Sequence, residues 1–290
     1  MVEESFQRIG KLDVDVGWAD DADFRLGYRT RATFQHRDGA WGFFESGSHT
    51  VVDIPACPLL HPKLNAAFEL LRGSRANQSV EITVNPEGDE VLVWTSKADA
   101  KLETLFPMYN AAGSGTKRHR FMFDGIPVVN GLFSQSSLVL NRVLRREVER
   151  QIGEPASLLD LYSGTGNLSL KYAESCRVVG IDHSGPAIMA AHALERGEYQ
   201  VGDETRFSEL ILQEPWDVIV LDPPRTGAKR LLKALGKAKA NRIVYVSCDP
   251  ATLARDAGQL AKTGWKLREA VAVDLFPHTV HIETVCRFER

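Results

Sequence analysis

A single cysteine stands between an apolar run and an Asp-Pro pair in "RIVYVSCDPATLARD". The mostly β-branched run predicts a buried strand, and Pro250 indicates that a helix begins directly afterwards. Cys248 is therefore expected at the carboxyl end of a strand, the edge of an α/β sheet where ligands bind. The helix N-terminus, and Arg225 in the loop after a neighbouring strand, would stabilise a thiolate there. Two interpretations follow: a nucleophilic thiol, or a cysteine packed in the core.

Ionisable side chains gather near the C-terminus in "FPHTVHIETV". Alternation predicts that Thr279, His281 and Glu283 share one face of a strand over 280–289. A face that presents His281 together with Glu283 indicates a polar site rather than a core.

A Gly-rich turn follows the apolar strand in "LLDLYSGTGNLSL". Gly164 and Gly166 would let a ligand approach the backbone and a helix N-terminus. The next strand ends in Asp182, about 20 residues downstream, where a carboxylate can accept hydrogen bonds from both hydroxyls of a ribose. The turn lacks the GxGxxG spacing of dinucleotide enzymes, and Asp160 suits a cationic ligand. The pattern favours S-adenosylmethionine, with a purely structural turn as the alternative.

The strand in "WDVIVLDPPRTG" ends in a stiff turn. Pro223 and Pro224 lack N–H groups, so the backbone after Asp222 has little freedom beside the expected cofactor pocket. Asp222 shares the carboxyl edge with Asp160 and Asp182, which favours a functional turn over a simple strand terminator.

The elements that must position these side chains follow two patterns. Residues 1–127 predict a small α+β domain with one helix over 61–71 and strands over 29–35, 42–45, 50–54, 79–85 and 91–96. Residues 128–290 alternate strands with helices, which predicts an α/β, Rossmann-like domain with a mostly parallel, doubly wound sheet. Its predicted helices cover 135–151, 167–173, 185–195, 229–238 and 252–262. Its predicted strands cover 157–162, 177–182, 217–222, 242–247, 265–274 and 280–289.

Composition is that of a globular protein kept in the cytosol. The chain has 290 residues, of which 43% are hydrophobic and 25% charged. No apolar stretch approaches the roughly 20 residues of a membrane span, and the first residues lack a signal-peptide pattern. The four cysteines show no CxxC spacing, so neither a disulfide framework nor a zinc site is expected.

The formal charge of −3 argues against wholesale coating of nucleic acid. This net charge is compatible with a local basic face, because basic residues cluster in "YRTR" and in "KRHR".

Several motifs together resemble the RNA (uracil-5-)-methyltransferases, which methylate carbon 5 of a uridine in transfer or ribosomal RNA. They are "FSQ" before a long helix, "DLYSGTGN", "GID", "DPPR", "VSCDPATLARD" and "DLFPHTVHIETV". The resemblance runs from about residue 28 to the C-terminus, and the last two motifs are the most specific. It implies that Cys248 is the nucleophile and Glu283 the base.

The resemblance also implies S-adenosylmethionine as the donor, an RNA substrate, and an RNA-binding role for the N-terminal α+β domain; a monomer is expected. The residues expected to bind the donor are Gln135, Tyr162, Gly164, Gly166, Asn167, Asp182, Asp203 and Asp222. Those expected to contact RNA are Arg29, Arg31, Arg225, His278 and His281.

The chemistry explains why these residue types are needed. Carbon 5 of uracil is too weak a nucleophile to take a sulfonium methyl, but thiolate attack on carbon 6 gives carbon 5 carbanion character. After methylation, a carboxylate must remove the carbon 5 proton so that the thiol can be eliminated.

The sequence departs from relatives that carry an oligonucleotide-binding barrel and an iron–sulfur cluster. Cys57 matches the last cluster ligand, but its three partners are missing, so no iron–sulfur cluster and no other metal is expected. Cys57 is then a buried remnant.

Other hypotheses remain open from the residues alone. An amino-group methyltransferase would place an aromatic residue after its DPP motif, and a 5-methylcytosine enzyme would place a cysteine beside it. Arg225 follows the prolines here and no cysteine lies near Asp222, which disfavours both. A non-catalytic RNA-binding factor with this fold is disfavoured by the presence of both Cys248 and Glu283.

Overall fold

The computed structural model describes residues 1–74, 76–113, 115 and 117–290. The described chain divides into two compact units: a discontinuous unit of Met1–Asp21 with Arg142–Arg290, and an inserted unit of Ala22–Asn141. The expected boundary between residues 127 and 128 differs from this division.

The strands among the described residues are, in chain order, β1 (Val16–Ala19), β2 (Arg31–Arg37), β3 (Ala40–Phe44), β4 (Val51–Asp53), β5 (Val80–Val84), β6 (Val91–Thr95), β7 (Met108–Ala111), β8 (Arg120–Phe123), β9 (Ile126–Val129), β10 (Ser157–Leu161), β11 (Arg177–Asp182), β12 (Glu198–Val201), β13 (Val218–Leu221), β14 (Arg242–Ser247), β15 (Lys266–Val273) and β16 (Glu283–Glu289).

The α-helices in the same residues are α1 (Val2–Ser5), α2 (Pro62–Gly73), α3 (Ala100–Leu105), α4 (Asn141–Ile152), α5 (Gly185–His192), α6 (Glu204–Gln213), α7 (Leu232–Lys237) and α8 (Pro250–Ala261). A π-helix covers Phe6–Gly10, and 3-10 helices cover Ala22–Phe24 and Leu170–Glu174. None of these helices is long and apolar enough to cross a membrane.

In the described part of the discontinuous unit, one sheet has the strand order β1-β15-β16-β14-β13-β10-β11-β12. Strand β16 runs antiparallel to β14 and β15, and the other neighbouring pairs are parallel. The predicted mostly parallel α/β sheet is therefore confirmed. Because β16 is reversed, its first residue, Glu283, lies at the edge where the parallel strands end.

Local sequence explains where the helices of this unit begin. The side chains of Ser184, Asp203 and Asp249 accept hydrogen bonds from backbone N–H groups in the first turns of α5, α6 and α8. These contacts satisfy donors that have no partner inside a helix. Each cap follows a strand, so the caps set the carboxyl edge of the sheet.

The N-terminal segment belongs to the sheet of the C-terminal half. Strand β1 pairs in parallel with β15, and the π-helix packs on α8 with Phe6 fully buried. The backbones approach closely there: a Cβ at Gly258 would come within 2.7 Å of the carbonyl oxygen of Gly10. This pairing explains why the compact unit is discontinuous.

The inserted unit is α+β, as the sequence predicts. Its described strands form a sheet in the order β4-β3-β2-β5-β6-β7 and a hairpin of β8 with β9. Helix α2 packs on the larger sheet, where the rings of Phe34 and Phe68 stack with centroids 4.0 Å apart.

Several predicted boundaries are wrong. The helix predicted over 135–151 begins only at Asn141, and the helix predicted over 167–173 is a 3-10 helix at Leu170–Glu174. The strand predicted over 280–289 begins at Glu283. The sequence analysis also missed β12 and α6, which lie between α5 and β13.

Candidate active site

The sheet brings Cys248 and Glu283 together. In the antiparallel pair of β14 and β16, Ser247 lies opposite Thr284. Cys248 directly follows β14 and Glu283 is the first residue of β16, close enough for the charge of Glu283 to act on the thiol. Cys248 is partly buried and Glu283 is 5% exposed.

The predicted strand face with His281 and Glu283 is wrong. Before β16 the chain makes a turn, in which the hydroxyl of Thr279 donates to the carbonyl oxygen of Phe276 and accepts the N–H of His281. His281 is exposed, whereas Glu283 is buried. Glu283 therefore stands alone as the carboxylate at the start of the strand.

Two carboxyl groups lie near each other at this edge. Burial raises the pKa of Glu283 well above its ordinary value, and the charge of Asp222 raises it further. Burial also raises the pKa of Asp222 to about 7. Arg225 opposes the effect on Glu283, because its positive charge favours the ionised carboxylate.

The net effect of the surroundings on Cys248 is to raise the pKa of its thiol rather than to stabilise the thiolate. Burial raises the pKa of this thiol, and the charges of Glu283 and Asp222 raise it further. Arg225 lowers the pKa, but its effect is smaller. The predicted effect of Arg225 has the expected direction, but burial and the carboxylates, which outweigh it, are invisible in the sequence. The surroundings of Cys248 in the protein alone therefore disfavour its thiolate.

The Gly-rich turn after β10 has a strained backbone. Tyr162, Gly164 and Gly166 have φ angles of 62°, 55° and 86°. A Cβ at Gly164 would meet nothing within 4 Å, so the space beside it is open. Asp182, the last residue of β11, holds the turn by accepting the N–H of Gly164 at 2.9 Å and the N–H of Ser184 at 2.8 Å.

Asp160 lies under the turn and is almost fully buried. Its Oδ2 accepts the hydroxyl of Ser169 at 2.5 Å, and its Oδ1 has no hydrogen-bond partner among the described residues. Burial raises the pKa of Asp160 to about 8, and the charges of Asp222 and Asp182 add to this. A buried acceptor without a partner suits a cationic ligand.

The arrangement fits S-adenosylmethionine, as the sequence predicts. Each oxygen of Asp182 accepts one backbone N–H and keeps acceptor capacity for a ribose hydroxyl. Tyr162 follows β10, with its ring 5.8 Å from that of His183. Asn167 lies in the turn, and Asp203 caps α6 beyond β12, where it accepts the N–H groups of Thr205 and Arg206.

The remaining predicted residues are distributed over both units. Gln135, Arg29 and Arg31 belong to the inserted unit. There Arg31 pairs with Glu81 at 2.7 Å, so a carboxylate already compensates its charge. Three others are exposed in the discontinuous unit: Arg225, His278 and His281.

Sequence reasoning missed the side chains that hold the Arg225 loop. Asp256 is fully buried in α8 and accepts a hydrogen bond from the backbone N–H of Ala228 at 2.8 Å. The signal was present, because Thr252, Arg255 and Asp256 lie at spacings that place them on one helix face.

In the described residues, no group of three or more His, Cys, Asp or Glu side chains is placed to hold a metal ion. Cys57 is partly buried rather than fully buried, and its N–H donates to the Oδ1 of Asn65. The absence of an iron–sulfur cluster stays a prediction.

Known proteins resemble this chain along nearly all of its length. A model of the tRNA (Uracil-5-)-methyltransferase family matches residues 189–290. A 23S rRNA (uracil(1939)-C(5))-methyltransferase of Hahella chejuensis is 37% identical, over 91% of this chain and 71% of that protein. The same enzyme of Azoarcus sp. is 31% identical, over 100% of this chain and 79% of that protein.

A solved structure agrees with these relatives. The tRNA (uracil-54, C5)-methyltransferase of Pyrococcus abyssi, in complex with S-adenosyl-L-homocysteine, superposes with a TM-score of 0.78 at 25% identity, over 99% of this chain and 81% of that one. The reversed β16 and the glycine turn after β10 define a Rossmann-like methyltransferase. Within that class, the chain belongs to the RNA (uracil-5-)-methyltransferase family.

Proposed function

We propose that this protein transfers a methyl group from S-adenosylmethionine to carbon 5 of a uridine in ribosomal or transfer RNA, through a covalent adduct with Cys248. The observation that carries the proposal is that Cys248 directly follows β14 and Glu283 begins the paired strand β16, close enough for the charge of Glu283 to act on the thiol. Relatives named as 23S rRNA enzymes support ribosomal RNA, and the similar Pyrococcus abyssi structure supports transfer RNA as the alternative.

The carboxyl edge of the sheet would hold the donor. Asp182 would bind the ribose hydroxyls, and the open space beside Gly164 would admit the ligand to the backbone. A bound sulfonium would lower the raised pKa values of Asp160 and Asp222, and the ionised carboxylates would then balance its charge. When bound there, S-adenosylmethionine supplies an electrophilic methyl group. The other side chains proposed to contact it are Gln135, Tyr162, Asn167 and Asp203.

Cys248 would begin the reaction at the base. Its thiolate forms a bond between Sγ and carbon 6 of uracil, and the displaced π electrons make an enolate with carbanion character at carbon 5. Because burial and the charges of Glu283 and Asp222 raise the pKa of the thiol, its ionisation must be favoured when the substrates bind. Arg225 would favour that ionisation.

Glu283 would finish the reaction. Once carbon 5 bears the methyl group, the ionised carboxylate takes its remaining proton. The freed electron pair re-forms the bond between carbons 5 and 6 and expels Sγ from carbon 6. Burial suits Glu283 to this role, because a carboxylate with a raised pKa is a stronger base.

The two side chains act at different stages, and variants separate them. Cys248→Ala should abolish turnover and any protein–RNA adduct, because nothing then activates carbon 5. Glu283→Gln keeps the shape but cannot accept the proton, so methylated RNA should accumulate as an adduct with Cys248. The measurement is denaturing gel electrophoresis of protein incubated with rRNA or tRNA transcripts and radiolabelled donor.

Cys176→Ala is the matched control, because this partly buried cysteine precedes β11 at the opposite edge of the sheet. It should keep both turnover and a normal gel pattern. An active Cys248→Ala protein would exclude the covalent mechanism. Loss of both activity and adduct in Glu283→Gln would remove the assigned role of Glu283.

A further inference from the structure

A fully buried carboxylate in α8 binds the loop that carries Arg225. The Oδ2 of Asp256 accepts the N–H of Ala228 at 2.8 Å and the hydroxyl of Tyr245 at 2.8 Å. Ionised carboxylates are costly to bury unless charges and hydrogen bonds compensate them. The position of Asp256 therefore requires an explanation beyond packing.

Neighbouring side chains on α8 hold the same loop. The Nε of Arg255 donates to the Oδ1 of Asp256 at 2.8 Å, and its Nη2 donates to the carbonyl oxygen of Thr226 at 2.9 Å. The hydroxyl of Thr252 donates to the carbonyl oxygen of Arg225 at 3.1 Å. The loop is thus bound to α8 through its backbone at Arg225, Thr226 and Ala228.

Gly227 shows how closely the loop lies against the carboxylate. Its φ angle is 75°, and a Cβ at this residue would come within 2.5 Å of the Oδ2 of Asp256. Only a glycine permits this approach without a shift of the backbone.

The thiol lies directly before helix α8. The helix begins at Pro250, Asp249 caps it, and Cys248 directly precedes the cap. Strands β13 and β14 are parallel neighbours with Leu221 opposite Tyr245, so Arg225 and Cys248 follow them at the same edge. One helix therefore fixes both the nucleophile and the loop with the positive charge.

We propose that Asp256 is a positioning residue, which acts together with Thr252 and Arg255 to hold Arg225 beside Cys248. The role in turnover rests on the proposed function, but the reactivity of the thiol does not. The charged groups that act on Cys248 are Glu283 from β16, and Asp222 and Arg225 from the loop after β13. Arg225 is the positive charge among them, so its displacement should make the thiol less reactive.

The test measures the rate of alkylation of Cys248 by iodoacetamide against pH, with peptide mass spectrometry to assign the cysteine. Asp256→Asn should slow the reaction at pH 7 by about two- to fivefold, because the released Arg225 leaves a smaller thiolate fraction. The direction of the change in alkylation rate separates two explanations. Removal of a nearby negative charge alone would favour the thiolate and speed the reaction.

Two further variants keep the test decisive if Asp256→Asn folds poorly. Thr252→Val removes the hydroxyl that binds Arg225 and should slow alkylation in the same direction. Thr263→Val is the matched control, because the hydroxyl of Thr263 donates to the carbonyl oxygen of Leu260 just after the same helix. It should leave the rate unchanged.

Arg225→Ala tests whether Asp256 acts on the thiol through Arg225. It should slow alkylation at least as much as Asp256→Asn, and the double variant should be no slower than Arg225→Ala alone, because both changes act through one charge. Additive effects, or an unchanged or faster rate in folded Asp256→Asn, would overturn the proposal.

Failure of the proposed function gives a different result. Alkylation needs neither RNA nor donor, so the rates report the positioning even if no uridine is methylated. If the alkylation rates of the variants change as expected while Cys248→Ala still methylates RNA, the positioning role of Asp256 is supported and the covalent mechanism is excluded.

Discussion

Asp182 combines structural and binding roles in one side chain. It holds the Gly-rich turn through the N–H of Gly164 and the loop after β11 through the N–H of Ser184. Both oxygens nevertheless keep acceptor capacity toward the open side of the turn. The residue therefore links the geometry of the turn to affinity for a ribose.

We expect Asp182→Ala to weaken binding of S-adenosylmethionine by about 1–3 kcal/mol, the scale of lost charge-assisted hydrogen bonds. Isothermal titration calorimetry with protein alone measures this. Asp217→Ala is the matched control, because Asp217 also accepts two backbone N–H groups, from Ala156 and Ser157, at the opposite edge of the sheet. Equal affinity losses in both variants would show that Asp182 acts only on the fold.

The residues directly after strands could be predicted from the sequence. Cys248, Asp182 and Asp222 each end or follow an apolar run, and the sheet places them at the predicted edge. The direction of the Cys248 pKa could not be predicted, because it depends on burial and on Glu283, which lies 35 positions away in the chain. Asp256 was missed because its partners come from another loop.

At the scale of elements, the predictable parts were those with a strong local pattern. Strands β11 and β14 were predicted with their observed bounds, because each has a continuous apolar centre between polar end residues. Strand β12 has only four residues, of which Tyr199 is buried, so its pattern is too short to recognise. Tertiary pairing with β11 makes it a strand.

The turn after β10 depends on two glycines for different reasons. At Gly166, a Cβ would lie 2.5 Å from the Cγ of Leu170, whereas at Gly164 the space is open. We expect Gly164→Ala to cost about 1–2 kcal/mol of unfolding free energy from its left-handed backbone alone. Gly166→Ala should cost about 1–3 kcal/mol more, because the methyl group also overlaps Leu170. Urea denaturation measures both, and equal costs would contradict the packing argument.

At the scale of the molecule, the discontinuous unit is completed by its N-terminal segment. Phe6 lies in the same core as residues of α8 and β15, and β1 extends the sheet beyond β15. The sequence pattern showed two halves but could not reveal this pairing, because β1 has only four residues and little burial.

The contribution of the segment can be tested by a single side chain. We expect Phe6→Ala to lower the free energy of unfolding by about 3–5 kcal/mol, the usual cost of removing a buried aromatic ring. Ile9→Ala is the control, since Ile9 is 48% exposed and its truncation should cost less than about 1 kcal/mol. Similar small costs for both variants would mean that the π-helix does not contribute to the core.

The pairing of β1 with β15 has a consequence for the order of events during synthesis. Residues 1–21 are made before the inserted unit, but β15 and α8, which they pack against, are made more than 200 residues later. At a translation rate of about 5–20 residues per second, the segment waits roughly ten to fifty seconds for its partners. During that interval the inserted unit can fold first, while Phe6 and β1 remain uncovered and open to chaperones. Residues 1–21 can therefore reach their final positions after the inserted unit, although they are synthesised before it.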